Sequence, residues 1–218
     1  VPTVTTHLPQ PLGNAPIPLL ADERTQMSFG ERAALEGVLL QLRPKIALEV
    51  GSAAGGSLAR IAAYSHSVHS FDLVLPADEV AALGNVTCHT GDSHKLLPAT
   101  LASLAGRGCM VEFAFVDGDH TPEGAREDLS ALLDSSATPS TVILLHDTAN
   151  LDVRLGVELA IAAHAKIVYH ELDFVPGREF AEGPFANQWW GGLGLVITGD
   201  RRNDGYRGSP AQTLYRPL

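Results

Sequence analysis

Short apolar runs alternate along most of the chain with longer stretches whose apolar residues recur every three or four positions. The runs fall at 46–50, about 67–73, 86–90, 111–116, 141–145, about 166–172 and 192–198. They are short and rich in β-branched residues, as strands buried on both faces of a sheet are. Between them the spacing predicts helices over about 30–42, 57–64 and 77–83, through Leu96, Leu97 and Leu101, and over about 121–133 and 152–164. Ser28 with Glu31 three residues on reads as a capping box for the first helix, and Thr121-Pro122 as the start of another. Repeated strand-then-helix units predict one α/β domain with a doubly wound, mostly parallel sheet.

The ends break the pattern. Pro2, Pro9, Pro11, Pro16 and Pro18 make residues 1–28 an extended arm, and 199–218 a polar, arginine-containing tail. The stretch 173–191, with Pro176, Gly177, Gly183, Pro184, Trp189 and Trp190, predicts a long loop, a candidate lid over a site. At 218 residues the chain suits a single domain spanning 1–218, and its formal charge of -10 without a basic block disfavours nucleic acid and anionic membrane. No apolar stretch approaches a membrane span, and Cys88 and Cys109 form neither a disulfide framework nor a zinc motif. The expectation is a cytoplasmic protein with a small-molecule substrate. The proline-rich arm motivates the further expectation of a homo-oligomer.

The first strand runs into Glu49-Val50-Gly51-Ser52-Ala53-Ala54-Gly55-Gly56 and then a helix. Glycines there allow a tight turn and close approach of a ligand, and helix amides point at the same space. The plain alternative is a turn whose glycines only permit tight packing. The spacing is neither the G-x-G-x-x-G of nicotinamide enzymes nor a P-loop. Glu49 repels a pyrophosphate but attracts the cationic amino acid end of S-adenosylmethionine, and Asp72, 21 positions after Gly51, suits a ribose diol. With these residues the chain resembles a class I S-adenosylmethionine-dependent methyltransferase. The resemblance implies a Rossmann-like sheet of seven strands with the last antiparallel. It further implies a cofactor held by Glu49, Gly51, Ser52, Gly55, Asp72, Asp92, Ser93 and Asp117. Asp92 also reads as a helix cap, and the two roles are compatible.

Polar residues gather after the later strands, in Val116-Asp117-Gly118-Asp119-His120 and Leu145-His146-Asp147-Thr148. In an open parallel sheet these positions share the carboxyl edge with the glycine turn. Neighbouring carboxylates there suit a hard divalent cation, Mg²⁺, Mn²⁺ or Ca²⁺. Asp117 and Asp147 look like the metal positions of cation-dependent O-methyltransferases, and the two phrases resemble the macrocin and mycinamicin O-methyltransferase group. The resemblance implies metal-assisted methyl transfer to a hydroxyl of a small acceptor, a sugar or phenolic moiety of a natural product. It implies Mg²⁺ on Asp117 and Asp147 and His120 as base, with Asp119 or Thr148 as a further ligand. On the residues alone, Asp119 is equally a helix cap, His120 a hydrogen-bonding loop residue, and Trp189 and Trp190 packing residues; His146 reads as an interior residue. The rival readings are a rearrangement or cyclisation on the same fold, a nicotinamide-dependent oxidoreductase and a noncatalytic subunit.

Overall fold

The computed structural model describes residues 26–199. The arm before Gln26, the tail after Gly199 and any oligomer contact made by the arm lie outside the described residues. Helix α1, Phe29–Leu42, opens on the capping box, with Ser28 and Glu31 each accepting from the other's backbone amide. The sheet begins with β1, Ile46–Val50, and continues through α2, Gly56–Tyr64, and β2, Ser67–Asp72. Next come α3, Asp78–Ala81, β3, Val86–Thr90, and α4, Ser93–Gly106. They are followed by β4, Phe113–Val116, α5, Pro122–Asp134, β5, Val142–His146, α6, Leu151–Ala163, and β6, Ile167–Val175. A hairpin of β7, Arg178–Phe180, and β8, Gln188–Trp190, precedes β9, Leu193–Thr198.

The main sheet has seven strands in the order β3-β2-β1-β4-β5-β9-β6. The first five are parallel, and β9 runs antiparallel to β5 and β6 on either side of it. The chain therefore winds outward from β1 in one direction and from β4 in the other. The crevice between the carboxyl ends of these two strands is the switch point at which such sheets bind ligands.

Strand alternation divides the core. Phe113 and Phe115 of β4 pack with Ala47, Leu144 and the α1 and α2 residues Leu35, Leu39, Leu58 and Ile61. Ala114 and Val116 face the other way, toward Leu97, Leu101, Leu129, Leu132 and Val157 of α4, α5 and α6. Both faces are covered, so the apolar character of the strands is continuous rather than alternating.

The stretch 173–191 departs from the predicted loop. Strand β6 continues to Val175, and β7 and β8 form a separate two-stranded antiparallel sheet with Arg178 opposite Trp190 and Phe180 opposite Gln188. The breakers that suggested a loop are its corners: Pro176-Gly177 lies before the hairpin and Gly183 within it. Gly191 and Gly192 follow it, both at positive φ. Three-residue strands are too short to register as a pattern of their own. The ladder of β4 likewise starts at Phe113, because Val111 donates to Ala137 instead of joining the neighbouring strand.

Candidate functional site

The glycine turn is held by packing as much as by any ligand requirement. Gly51 has φ of 80°, and a Cβ there would overlap the carbonyl oxygen of Asp117 at the end of β4. Gly55, φ 88°, faces Pro76 and Val80 rather than the open side. The tight-packing role thus holds for both, while Gly51, Ser52 and the first α2 residues Gly56 and Ser57 also line a cavity of about 690 Å³. Asp72 closes the turn: its Oδ2 accepts from the amides of Ser52 and Ala53, both at 2.8 Å, and its Oδ1 from Val74 at 3.1 Å. The cavity runs from this turn past Asp92, Ser93 and His94 to Asp117, His120, His146 and Asp147.

Glu49 lies beneath the turn, fully buried and outside the cavity lining. One carboxylate oxygen, Oε1, is buried without a close partner, and Oε2 accepts a long contact, 3.5 Å, from the Ser70 hydroxyl. Burial, with the negative charges of Asp117 and Asp72, pushes its carboxyl up to about 8, against the hydrogen bonds of Ser57 and Ser70. A neutral acid below the cavity floor does not offer the anionic contact anticipated for a cationic cofactor end. Gly55 is also outside the lining.

Asp92 caps α4 by accepting from the His94 amide at 3.1 Å and pairs with Lys95 at 2.7 Å, while still lining the cavity. Ser93 donates to Asp128 at 3.0 Å. Asp128 on α5 is buried under Gly118, and burial raises its carboxyl above the usual range. His94 lines the cavity beside Ser93.

At the far end of the cavity four side chains converge. His120 Nε2 lies 3.3 Å from Asp117 Oδ1 and 3.4 Å from Asp147 Oδ2. His146 Nδ1 lies 3.2 Å and 3.4 Å from the same two oxygens. Asp147 occupies the left-handed region, φ 55°, uncommon for a non-glycine residue, and is held there by the amide of Gly191, which donates to its Oδ1 at 2.6 Å. Behind them Glu31 accepts from the Ser28 and Gly192 amides and approaches His146 Nε2 at 3.6 Å. Burial works to raise the Glu31 carboxyl, but its His146 and Ser28 partners outweigh this and hold it at about 2.

Charge balance explains the two imidazoles. Burial disfavours the His146 cation, yet Asp117, Asp147 and Glu31 drive its basicity well above the ordinary range. His120 is raised chiefly by its hydrogen bond to Asp117. Burial would raise the Asp117 carboxyl, but His146 and His120 bring it below its usual value. Asp117, His146 and Asp147 each present a ligand atom within 4.8 Å of the others, with His146 Nδ1 facing the two carboxylates. Two carboxylates and an imidazole so arranged fit a divalent cation.

Thr148 is buried and lines neither cavity; its methyl group faces Gly194. The third donor beside the two aspartates is His146, anticipated as an interior residue. Asp119 also lines the cavity, but its Oδ1 accepts from the Thr121 amide at 2.8 Å at the start of α5, the capping alternative. A second cavity, about 480 Å³, shares His120, His146 and Asp147 with the first and extends under the hairpin to Arg178, Phe180, Phe185 and Trp190. Glu31, Gln26 and Met27 were not anticipated at the site. Glu31 carried a signal only for its capping role, and its reach to Gly192 and His146 depends on β9 returning through the sheet.

Residues 48–148 match a family described as a methyltransferase domain. No curated protein matches the chain by sequence. Among solved structures, the O-methyltransferase TomG from Streptomyces achromogenes, in complex with S-adenosylmethionine, is 16% identical. It covers 78% of this chain and 81% of its own, with a TM-score of 0.54. A Klebsiella pneumoniae protein provisionally assigned as an O-methyltransferase is 19% identical, covering 77% and 80%, with a TM-score of 0.55. MycE, a methyltransferase of the mycinamycin biosynthetic pathway in complex with Mg, S-adenosylhomocysteine and mycinamycin VI, is 16% identical with a TM-score of 0.54. That match covers 82% of this chain but only 52% of MycE. At these identities the structural likeness shows the fold alone, and residues 48–148 are similar in sequence to the family described as a methyltransferase domain.

Proposed function

We propose that this protein transfers a methyl group from S-adenosylmethionine to a hydroxyl of a small acceptor, with a divalent cation, Mg²⁺ first, at Asp117, Asp147 and His146. The observation that carries this reading is the meeting of two cavities at these residues and His120: one beside the glycine turn, the other under an aromatic hairpin. Bound in the first cavity, the cofactor supplies an electrophilic methyl on sulfur. Asp72, Asp92 and Ser93, with the turn backbone at Gly51 and Ser52, are the groups to hold it. Glu49 and Gly55 act from behind the turn, and Thr148 supports the fold around Gly194 rather than a ligand sphere.

Methyl transfer is an in-line displacement, so rate depends on aligning the acceptor oxygen with the methyl–sulfur axis. A cation bound to Asp117, Asp147 and His146 supplies Lewis acidity, lowering the pKa of an acceptor hydroxyl. His120 Nε2 takes the hydroxyl proton; Asp117 beside it makes the imidazole a stronger acceptor, help typically worth roughly 10²- to 10⁴-fold. Glu31, anchored by two amides, restrains His146 from behind.

The test is single-turnover transfer from methyl-labelled S-adenosylmethionine to a panel of hydroxylated acceptors, with and without chelator. Wild type should transfer label with Mg²⁺ and lose that activity on chelation. Full activity of both Asp117→Ala and Asp147→Ala in chelator would remove the metal from the mechanism. Stabilisation of the protein by NAD but not by S-adenosylhomocysteine would remove the transferase reading itself.

A further inference from the structure

The β7–β8 hairpin forms a sheet of its own, and residues 181–185 and 187–189 along it are exposed. Both of its ends are glycine. Gly191 and Gly192, at φ of 72° and 84°, separate Trp190 from Leu193, which pairs with His146 in the ladder of β9 on β5. At the other end, a Cβ on Gly177 would overlap Ala149 and the carbonyl oxygens of Trp190 and Gly191. The two ends therefore lie against each other and against the turn after β5, at the kind of position that absorbs a hinge motion.

That turn holds Asp147. The Gly191 amide donates to Asp147 Oδ1 at 2.6 Å, and the Ala149 amide returns a bond to the Gly191 carbonyl at 3.1 Å. The other Asp147 oxygen, Oδ2, lies in the candidate cation site, 3.4 Å from both His120 Nε2 and His146 Nδ1. One carboxylate thus serves the hairpin with one oxygen and the cation site with the other. Glu31 repeats the arrangement: the oxygen that accepts from the Gly192 amide also lies 3.6 Å from His146 Nε2. The base of the hairpin stands behind two of the three candidate ligands.

We propose that seating of the hairpin over the second cavity and binding of the divalent cation are one linked equilibrium, with the Asp147 carboxylate as the joint. This inference rests on the cation site of the reading above. Asp147 keeps its left-handed φ of 55° through the contacts around it, the Gly191 amide among them. Lifting the hairpin withdraws that amide, frees the carboxylate to turn and spoils the placement of Oδ2. A cation on Oδ2 fixes the carboxylate plane and with it the acceptor for Gly191. The cation favours the seated hairpin by its difference in affinity for the two states, and the seated hairpin raises cation affinity by the same factor. The wall made by Phe180, Phe185 and Trp190 therefore closes on the second cavity where a cation is in place, and Trp190 meets the His120 ring there at 5.5 Å.

The test needs neither cofactor nor acceptor. Hydrogen–deuterium exchange of the full-length protein is followed with Mg²⁺ and with chelator, and Mg²⁺ affinity is measured by calorimetry. Saturating Mg²⁺ should slow exchange across 178–190 by about fivefold or more, the lower end of coupling between sites, while the far edge strand β3, Val86–Thr90, exchanges unchanged. Phe185→Ala removes the ring that lies 6.2 Å from Phe180 and 5.3 Å from Trp190, and Phe185 offers a cation no ligand atom. It should nevertheless weaken Mg²⁺ binding by about threefold or more, and by no more than the wild-type protection. Asp147→Asn keeps an oxygen for Gly191 but loses the charge, so its hairpin should exchange alike with Mg²⁺ and with chelator; Mg²⁺ protection that persists in this variant overturns the joint. Mg²⁺ that binds while hairpin exchange is unchanged, or while β3 is slowed equally, overturns the linkage and leaves the cation site standing. Unaltered Mg²⁺ affinity in Phe185→Ala does the same. Absence of Mg²⁺ binding to wild type removes the cation site and the linkage together.

Discussion

Replacing Glu49 by Gln separates a structural acid from a cofactor ligand. Glu49 is fully buried under the glycine turn with one oxygen lacking a close partner, and its carboxyl is raised from 4.5 to about 8. The native state therefore keeps a proton that the unfolded chain releases above its own pKa. For a group raised on folding, the contribution is fully present below the unfolded pKa and is lost as pH rises toward the folded one. Wild-type stability should fall by up to about 1.4 kcal/mol per pH unit across this window from the Glu49 proton alone. Between pH 5.5 and 7.5 that is a ceiling of about 3 kcal/mol, or roughly 6–12 °C in melting temperature for a chain of this size. The Gln variant has no proton to lose, so the difference between the two melting curves, measured every half pH unit, isolates this residue from every other titration. Parallel curves would refute the buried neutral acid. The same variant should bind S-adenosylhomocysteine within about threefold of wild type, since a side chain outside the cavity forms no direct contact. A loss of tenfold or more would return Glu49 to the cofactor.

Three further outcomes follow from the geometry. Gly51→Ala forces a Cβ into the Asp117 carbonyl at a backbone φ of 80°, and should cost more than about 3 kcal/mol; a variant unfolding in urea within 1 kcal/mol of wild type would contradict the packing. Asp72→Ala leaves three turn amides without their acceptor, and should lower S-adenosylhomocysteine affinity about tenfold or more and stability by roughly 2 kcal/mol. Calorimetric titration showing unchanged affinity would remove Asp72 from the cofactor site. Glu31→Ala strips the acceptor from the Ser28 and Gly192 amides and the anion from His146, and should cost roughly 2–4 kcal/mol by denaturant unfolding. A cost under 1 kcal/mol would show that it is only a helix cap.

The sheet was legible because its physics is local. Runs such as Ile46–Val50 and Val142–His146 are strands for their own apolar, β-branched content, and Ser28 and Thr121 set helix starts through bonds to residues three positions away. Asp117, His120 and Asp147 could be nominated together because carboxyl ends of parallel strands share one edge. The hairpin β7–β8 escaped because three-residue strands flanked by glycine and proline carry no period.

What the sequence by itself determined, then, is the order of elements, the glycine turn and the residues delivered to the sheet edge, since these follow from spacing within one or two turns of chain. Only the tertiary structure decided which of those residues reach the cavity. It brought the β4 carbonyl against Gly51, sealed Glu49 under the turn as a neutral acid and turned Thr148 toward Gly194. It also set His146 and Glu31 behind the two aspartates. Burial and charge at each of these positions are set by atoms tens of residues away in the chain, and so no local pattern encodes them.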